Sequence, residues 1–415
     1  MHTSPLTAHP ERAPPSAYYS DIWEYIMEPN TVSTKKQIHD EQVLKRDFNL
    51  DLLRIISTLF VVGVHFFLYT GFYSIDVHSP VMMFCMVIRN TCLTCIPLFI
   101  MLTGYLQGNK KISPTLRYYV KILKFIVPYV LIVIFEGVMM HFFMNGILNF
   151  GIIARNIAGF SGYSWYVEMY IGLFLLIPFL NILWQNMKTR KQEHILLGVL
   201  IFLTILPTVI NVYDTGSVNF WNAENKDYFP FIPDFWKNLY PVTGYFIGAY
   251  LNKYKDKIVN RLKSAGLLLC FLGATALTSV YTITRNIGTT PSVYSWLGRN
   301  SFFLYLCAVF FFMFIVSLRL EGAPLFIRKS AAKLSDLSYG AFLVSCTVDT
   351  LLYAKLCSII DAGFYHILVF YPVAVIIILT TSFILSFLID FIAKLIIKLA
   401  EKIIFRIKSA ITKDK

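Results

Sequence analysis

Long apolar runs, separated by short polar connections, set the pattern of this chain. Ten runs approach the ~20 residues that an α-helix needs to cross a bilayer. They lie near 53–72, 81–105, 119–142, 164–185, 194–213, 237–251, 264–283, 296–317, 337–354 and 366–390. The sixth is short, at GYFIGAYL. A semi-apolar stretch, ILNFGIIARNIAGF, precedes the fourth and fits a re-entrant or an interfacial segment. The expected fold class is all-α: a polytopic membrane protein with about ten transmembrane helices. Residues 1–47 read as a polar N-terminal tail and 48–390 as the membrane domain. Residues 391–415 read as a tail whose lysines and arginines, about four apart among Ile, Leu and Phe, make a basic amphipathic helix on an anionic leaflet. The stretch IWEYIMEP (22–29) fits a short interfacial helix, but reads better as part of a disordered polar tail. No short apolar region before a cleavage site marks a signal peptide, so the first run itself would direct insertion.

The cations give the runs a direction. Lys35, Lys36, Lys45 and Arg46 precede the first run. Lys110, Lys111, Arg117 and Lys121 follow the second, and Lys188, Arg190 and Lys191 follow the fourth. Five more lie between Lys253 and Lys263, and Arg319, Arg328, Lys329 and Lys333 follow the eighth run. The alternate connections are poor in cations: SIDVHSP has none, the third has Arg155, and the 214–236 loop has Lys226. That alternation predicts both termini in the cytoplasm. It also accounts for the net charge of +13 without nucleic acid as a partner. The chain is 56% hydrophobic and 15% charged with a mean hydropathy of +0.61, too apolar for a soluble domain's surface. The expected location is the plasma membrane, with lipid as a partner. The seven cysteines fit small apolar fillers better than disulfides or metal ligands. No metal site is expected: His78, His141 and His366 lack ligand spacing.

Ionisable residues inside the runs are costly and therefore candidates for function. In the first run Arg54 and His65 are eleven residues apart, which nearly completes three turns, so both project from one face. They are separated by roughly 16 Å along the axis, about half the hydrocarbon thickness. Asp51 and Thr58 lie near the same stripe. His65 has the one ordinary pKa there suited to proton transfer near neutrality, which makes it a candidate general base; a hydrogen-bonded structural imidazole is the alternative. Arg89 in the second run and Glu168 in the fourth fit either a shared hydrated cavity with His65 or a mutual ion pair. Asp349, in the ninth run, is a weaker candidate. The 214–236 loop, with its Trp, Asp, Glu and Asn side chains, fits a sugar site or an aromatic interfacial anchor equally.

These residues resemble the membrane-bound acyltransferase family 3, the bacterial O-acyltransferases of cell-surface glycans. FNLDLLRIISTLFVVGVHFF is similar to that family's first helix, with Arg54 and His65 at the basic and histidine places of its signature. IPLFIMLTGYLQGNKK resembles its SGYL segment, with Thr103 for the usual Ser. SWYVEMYIGLFLLIPFLN resembles its WY…LYLLIP segment, and VTGYFIGAYL and LSDLSYGAFLV match weaker motifs. The similarity covers about 48–390. Where the family often reads SYGIYLIH, this chain reads SYGAFLVS, with Phe342 and Ser345 in the last Tyr and His places.

The resemblance implies transfer of an acyl group, usually acetyl, from acyl-CoA as co-substrate to a glycan hydroxyl. With that activity His65 is the catalytic candidate, joined by Glu168 from the buried-charge reading. Arg54, Lys110, Lys111 and Arg117 would meet the CoA phosphates, and Arg89, Trp165 and Tyr166 the acceptor. A non-enzymatic transporter and a glycan-export scaffold with buried charges are the competing readings; no internal repeat favours the transporter.

Overall fold

The computed structural model describes residues 43–146, 149–159, 164–213, 231–291, 293, 296–360 and 363–413, with side chains to Leu399. The stretch at 22–29, residues 214–230 of the sugar-or-anchor loop and the side chains of the last tail cations lie outside the described residues.

Among the described residues twelve longer helices form the fold: α1 (Phe48–Tyr69), α2 (Pro80–Leu93), α3 (Cys95–Gln107), α4 (Leu123–Met144), α5 (Phe150–Gly159), α6 (Trp165–Gln185), α7 (Arg190–Thr204), α8 (Tyr240–Lys253), α9 (Lys255–Asn286), α10 (Phe302–Ser317), α11 (Leu325–Ile359) and α12 (Tyr371–Lys413). No strand forms among the described residues; the one β-contact is an isolated bridge between Val77 and Ile287.

The structure refines the expected ten spans. Among the described residues, eight segments are long and apolar enough to cross a membrane: Phe48–Tyr69, Pro80–Gln107, Leu116–Met144, Trp165–Gln185, Arg190–Ile210, Lys255–Asn286, Leu325–Ile359 and Tyr371–Leu399. The other two expected spans are the shorter helices α8, of 14 residues, and α10, of 16. Both are largely buried against other helices, with 9 of 14 and 11 of 16 residues buried. Residues 391–413 continue α12 as helix.

Local chemistry explains where the helices start and break. The Asp47 carboxylate caps α1, accepting from the Asn49 N–H at 3.0 Å and the Leu50 N–H at 3.4 Å. α2 and α3 lie within one span but break at Thr94. Pro97 has no N–H for the Leu93 carbonyl four residues back, and its ring crowds that carbonyl.

α1 packs against α2, α3, α10, α11 and α12, so the Arg54–His65 stripe runs through the middle of the bundle. Its lower part joins a core with Leu98, Met101, Phe312 and Ile315, and its upper part a core with Met82, Tyr353 and Ile378. α8 is held by backbone proximity to α3. A Cβ on Gly104 would strike the Tyr245 backbone, and one on Gly248 would strike the Met101 backbone. Gly104 with Gly108, and Gly244 with Gly248, are small residues four apart, the spacing that lets two helices approach closely. The TGYL and IGAY pieces of the sequence therefore meet each other across this contact.

Candidate active site

A cavity of about 700 Å³ runs beside α1. Each helix lends it one stripe, as helical periodicity requires. α1 contributes Arg54, Val61, His65 and Leu68, which span roughly 21 Å of its axis. α3 contributes Ile96, Phe99, Thr103 and Leu106. α11 contributes Ser335, Ser338, Tyr339 and Phe342, and α6 contributes Trp165, Tyr166 and Tyr170. Val293, Leu297 and Arg299, between α9 and α10, line it as well.

His65 sits in the wall of this cavity, and its Nδ1 lies 2.8 Å from Asp349 Oδ2 on α11. The Asp349 side chain is 0% exposed, whereas that of His65 is 13% exposed. This is a buried carboxylate behind an imidazole that reaches the cavity. Such a contact fixes the ring's orientation and favours the tautomer with its proton on Nδ1, leaving the basic lone pair on Nε2. Ser345, the residue in the family's second histidine place, lies one turn before Asp349; its hydroxyl donates to the Phe342 carbonyl at 2.8 Å. His65 is the one histidine in the described cavity lining.

At the α1 N-terminal end the cavity meets an ionic cluster. Arg46 donates to Asp51 Oδ1 and to Asp336 Oδ1, each at 2.8 Å. Arg54 and Arg46 both donate to the Ser335 hydroxyl, at 2.5 and 3.2 Å. Arg54 is 3.9 Å from Asp51. Its side chain is 25% exposed and lines the cavity, so it presents positive charge at that mouth without a close bidentate carboxylate. Gln107 lines the same end. Lys110, Lys111 and Arg117 follow it, exposed and outside the cavity lining. Asn181 and Gln185 both donate to the Lys110 carbonyl, which fixes that loop against α6.

The other expected site residues separate. Trp165 and Tyr166 line the cavity. Tyr166 also packs edge-on against Phe342 at 5.5 Å. Glu168 does not share the cavity: it is exposed and outside the lining. Two residues past Tyr166 is about 200° around the helix, so it points away. Arg89 does not pair with Glu168. It is buried and donates to the Tyr73 hydroxyl at 2.8 Å, to Asn90 Oδ1 at 3.2 Å and to the Val293 carbonyl at 3.0 Å. Tyr73 and Val293 line the cavity, so Arg89 acts from behind its wall. Among the described residues no cluster of His, Cys, Asp and Glu has the makings of a metal site.

An acyltransferase domain of acyltransferase family 3 matches residues 47–390, which include Arg54, His65 and Asp349. The chain belongs to acyltransferase family 3. It is a multi-pass membrane protein of that family. No curated protein and no solved structure matches the chain. Within the family 3 domain, sequence reasoning named His65 and Arg54 but not the pairing of His65 with Asp349. It also passed over Arg46, Ser335, Asp336 and Arg299. The signal for Asp349 was available: an acid in a run at similar depth, one helical turn beyond the departing Ser345.

Proposed function

We propose that this family 3 acyltransferase moves an acyl group, acetyl in the simplest case, from acyl-CoA to a hydroxyl of a cell-surface polysaccharide or its lipid-linked precursor at the plasma membrane. The observation that carries this reading is the His65–Asp349 pair in the wall of a cavity that ends at Arg54. CoA approaches from the cytoplasm, its phosphates meeting Arg54 with Lys110, Lys111 and Arg117 nearby. The pantetheine arm lies along the apolar stripe of α1, which brings the thioester to His65.

His65 Nε2 takes the proton of the acceptor hydroxyl as its oxygen bonds to the thioester carbonyl carbon. The tetrahedral adduct collapses, the C–S bond breaks, and the thiolate leaves with the proton from His65, giving CoA–SH and an acyl ester. Asp349 holds the imidazole through Nδ1 and stabilises the imidazolium that forms in between. Trp165 and Tyr166 supply flat apolar faces for a sugar ring. Glu168 has no part in this reading, because it lies outside the cavity.

The test is CoA release from labelled acetyl-CoA by the full chain in nanodiscs supplied with polysaccharide as the hydroxyl acceptor. Release by the wild type, reduced about 10²–10⁴-fold in His65→Ala, is expected. Absence of acetyl-CoA binding, or release unchanged in His65→Ala, contradicts the proposal. A carrier would instead take up substrate into liposomes without any acyl donor.

A further inference from the structure

A second cavity, of about 360 Å³, lies between α7, α8, α9 and α10. Its described lining is apolar and includes Ile201 of α7, Leu251 of α8, Ile258 and Leu262 of α9, and Met313 of α10. The one hydroxyl among the described lining residues belongs to Tyr250. Ile201 lies eleven residues after Arg190, so the crevice reaches roughly 16 Å along α7 from that arginine. That is about the hydrocarbon depth of one leaflet. A void lined by aliphatic side chains gives water no hydrogen-bond partners and takes hydrocarbon instead.

The mouth of this crevice is cationic. Residues 188–194 and 253–263 carry eight lysines and arginines against two carboxylates, Glu193 and Asp256. Glu193 is 1% exposed and accepts from Lys253 and from the Tyr254 hydroxyl. Arg190 and Lys257 are exposed and rest on the Tyr254 ring, 4.7 and 5.6 Å from its centroid. Arg190 also donates to the Tyr250 hydroxyl at 3.1 Å. Tyr250 joins the two halves, because its ring lines the crevice while its hydroxyl holds a cation. Lys263, with a φ of 55°, breaks α9. The turns before it, 255–262, are amphipathic: Ile258, Val259 and Leu262 pack on the core, while Lys257 and Arg261 are exposed. Such a segment lies along a membrane interface.

We propose that this crevice binds an anionic glycerophospholipid of the leaflet at the Arg190 end. One acyl chain fills the apolar cavity, and the headgroup phosphate meets Arg190 and Lys257 beside Tyr250 and Tyr254. Basic pockets between membrane helices suit such headgroups. A zwitterionic lipid carries a cation of its own, which these side chains repel. The site is separate from the acyltransfer chemistry: none of these residues lines the cavity beside His65.

The experiment is native mass spectrometry of the full chain in detergent, titrated with phosphatidylglycerol or phosphatidylcholine of identical acyl chains. The first phosphatidylglycerol is expected to bind about tenfold or more tightly than the first phosphatidylcholine, as two cations near a membrane surface give. Equal affinities overturn the proposal, because the charge at the mouth then selects nothing. A dimer that retains no lipid seats a second copy in the crevice and overturns it too. Arg190→Gln combined with Lys257→Gln, both at exposed positions, is expected to bring the two lipids within about twofold of each other. Ile201→Trp, which fills the crevice, is expected to weaken both lipids several-fold; Leu197→Phe takes its place should that variant not fold. A preference that survives the double substitution, or affinities unchanged by filling the crevice, overturns the assignment.

Discussion

The two ends of the cavity hold their arginines by different means. At one end Arg54 and Arg46 share the Ser335 hydroxyl, with Asp51 and Asp336 as counter-charges. At the other, Arg299 lies on the Trp165 ring, and Arg89 is held by a phenol, an amide and a carbonyl. The built-in carboxylates hold the guanidiniums in place, while Arg54, 3.9 Å from Asp51, presents its charge to the cavity. Arg89, held by neutral oxygens, keeps its charge behind the wall formed by Tyr73 and Val293. Between the two lies His65, backed by Asp349. The difference suits a donor that leaves as free CoA after each turnover at the first end, and an acceptor selected by its chemistry at the second.

Substitutions break this comparison at different points. Replacing Asp349 by Asn, at the centre, has the largest expected effect. The amide keeps the shape but no longer stabilises the imidazolium, and acetyl transfer should fall about 10²-fold or more in steady-state assays, with acetyl-CoA affinity little changed. Arg54→Gln should act on the donor alone, raising the KM for acetyl-CoA about tenfold or more while kcat holds, because one charge-assisted phosphate contact is lost. An equal effect on acceptor KM would show that the two ends are not separate. Gly248→Val tests the frame rather than the site. Its branched side chain cannot fit against the Met101 backbone, and the melting temperature should fall by several degrees in a detergent thermal scan. The smallest effect is expected from Glu168→Gln: exposed and outside the lining, it should change turnover by less than about twofold. A large loss there would place a catalytic acid where the geometry puts none.

Much of this was legible in the sequence, for physical reasons. A register argument within one helix is reliable because the turn is fixed, so Arg54 and His65 did fall on one stripe and on one cavity. Depth alone is not enough. Glu168 stands at a depth that suggested the cavity, but its angle relative to Tyr166 turns it outward. The pairing of His65 with Asp349 joins helices 284 residues apart, and no local pattern sets the rotation of α11 against α1. Arg299 was hidden for another reason: three residues after Trp296, a cation at the edge of an apolar run looks like an interfacial residue. The short helices α8 and α10 explain why ten apolar runs give eight helices of spanning length. Burial inside protein calls for apolar residues just as lipid does.

The central claim is that His65 and Asp349 act as one unit on the acyl donor. A double-mutant cycle tests it most directly: acetyl transfer by the wild type, His65→Gln, Asp349→Asn and the double variant in the same nanodiscs, each checked for helical content. If the carboxylate acts through the imidazole, the double variant is no slower than His65→Gln alone. Losses that multiply, or an Asp349→Asn variant as fast as the wild type, would contradict it.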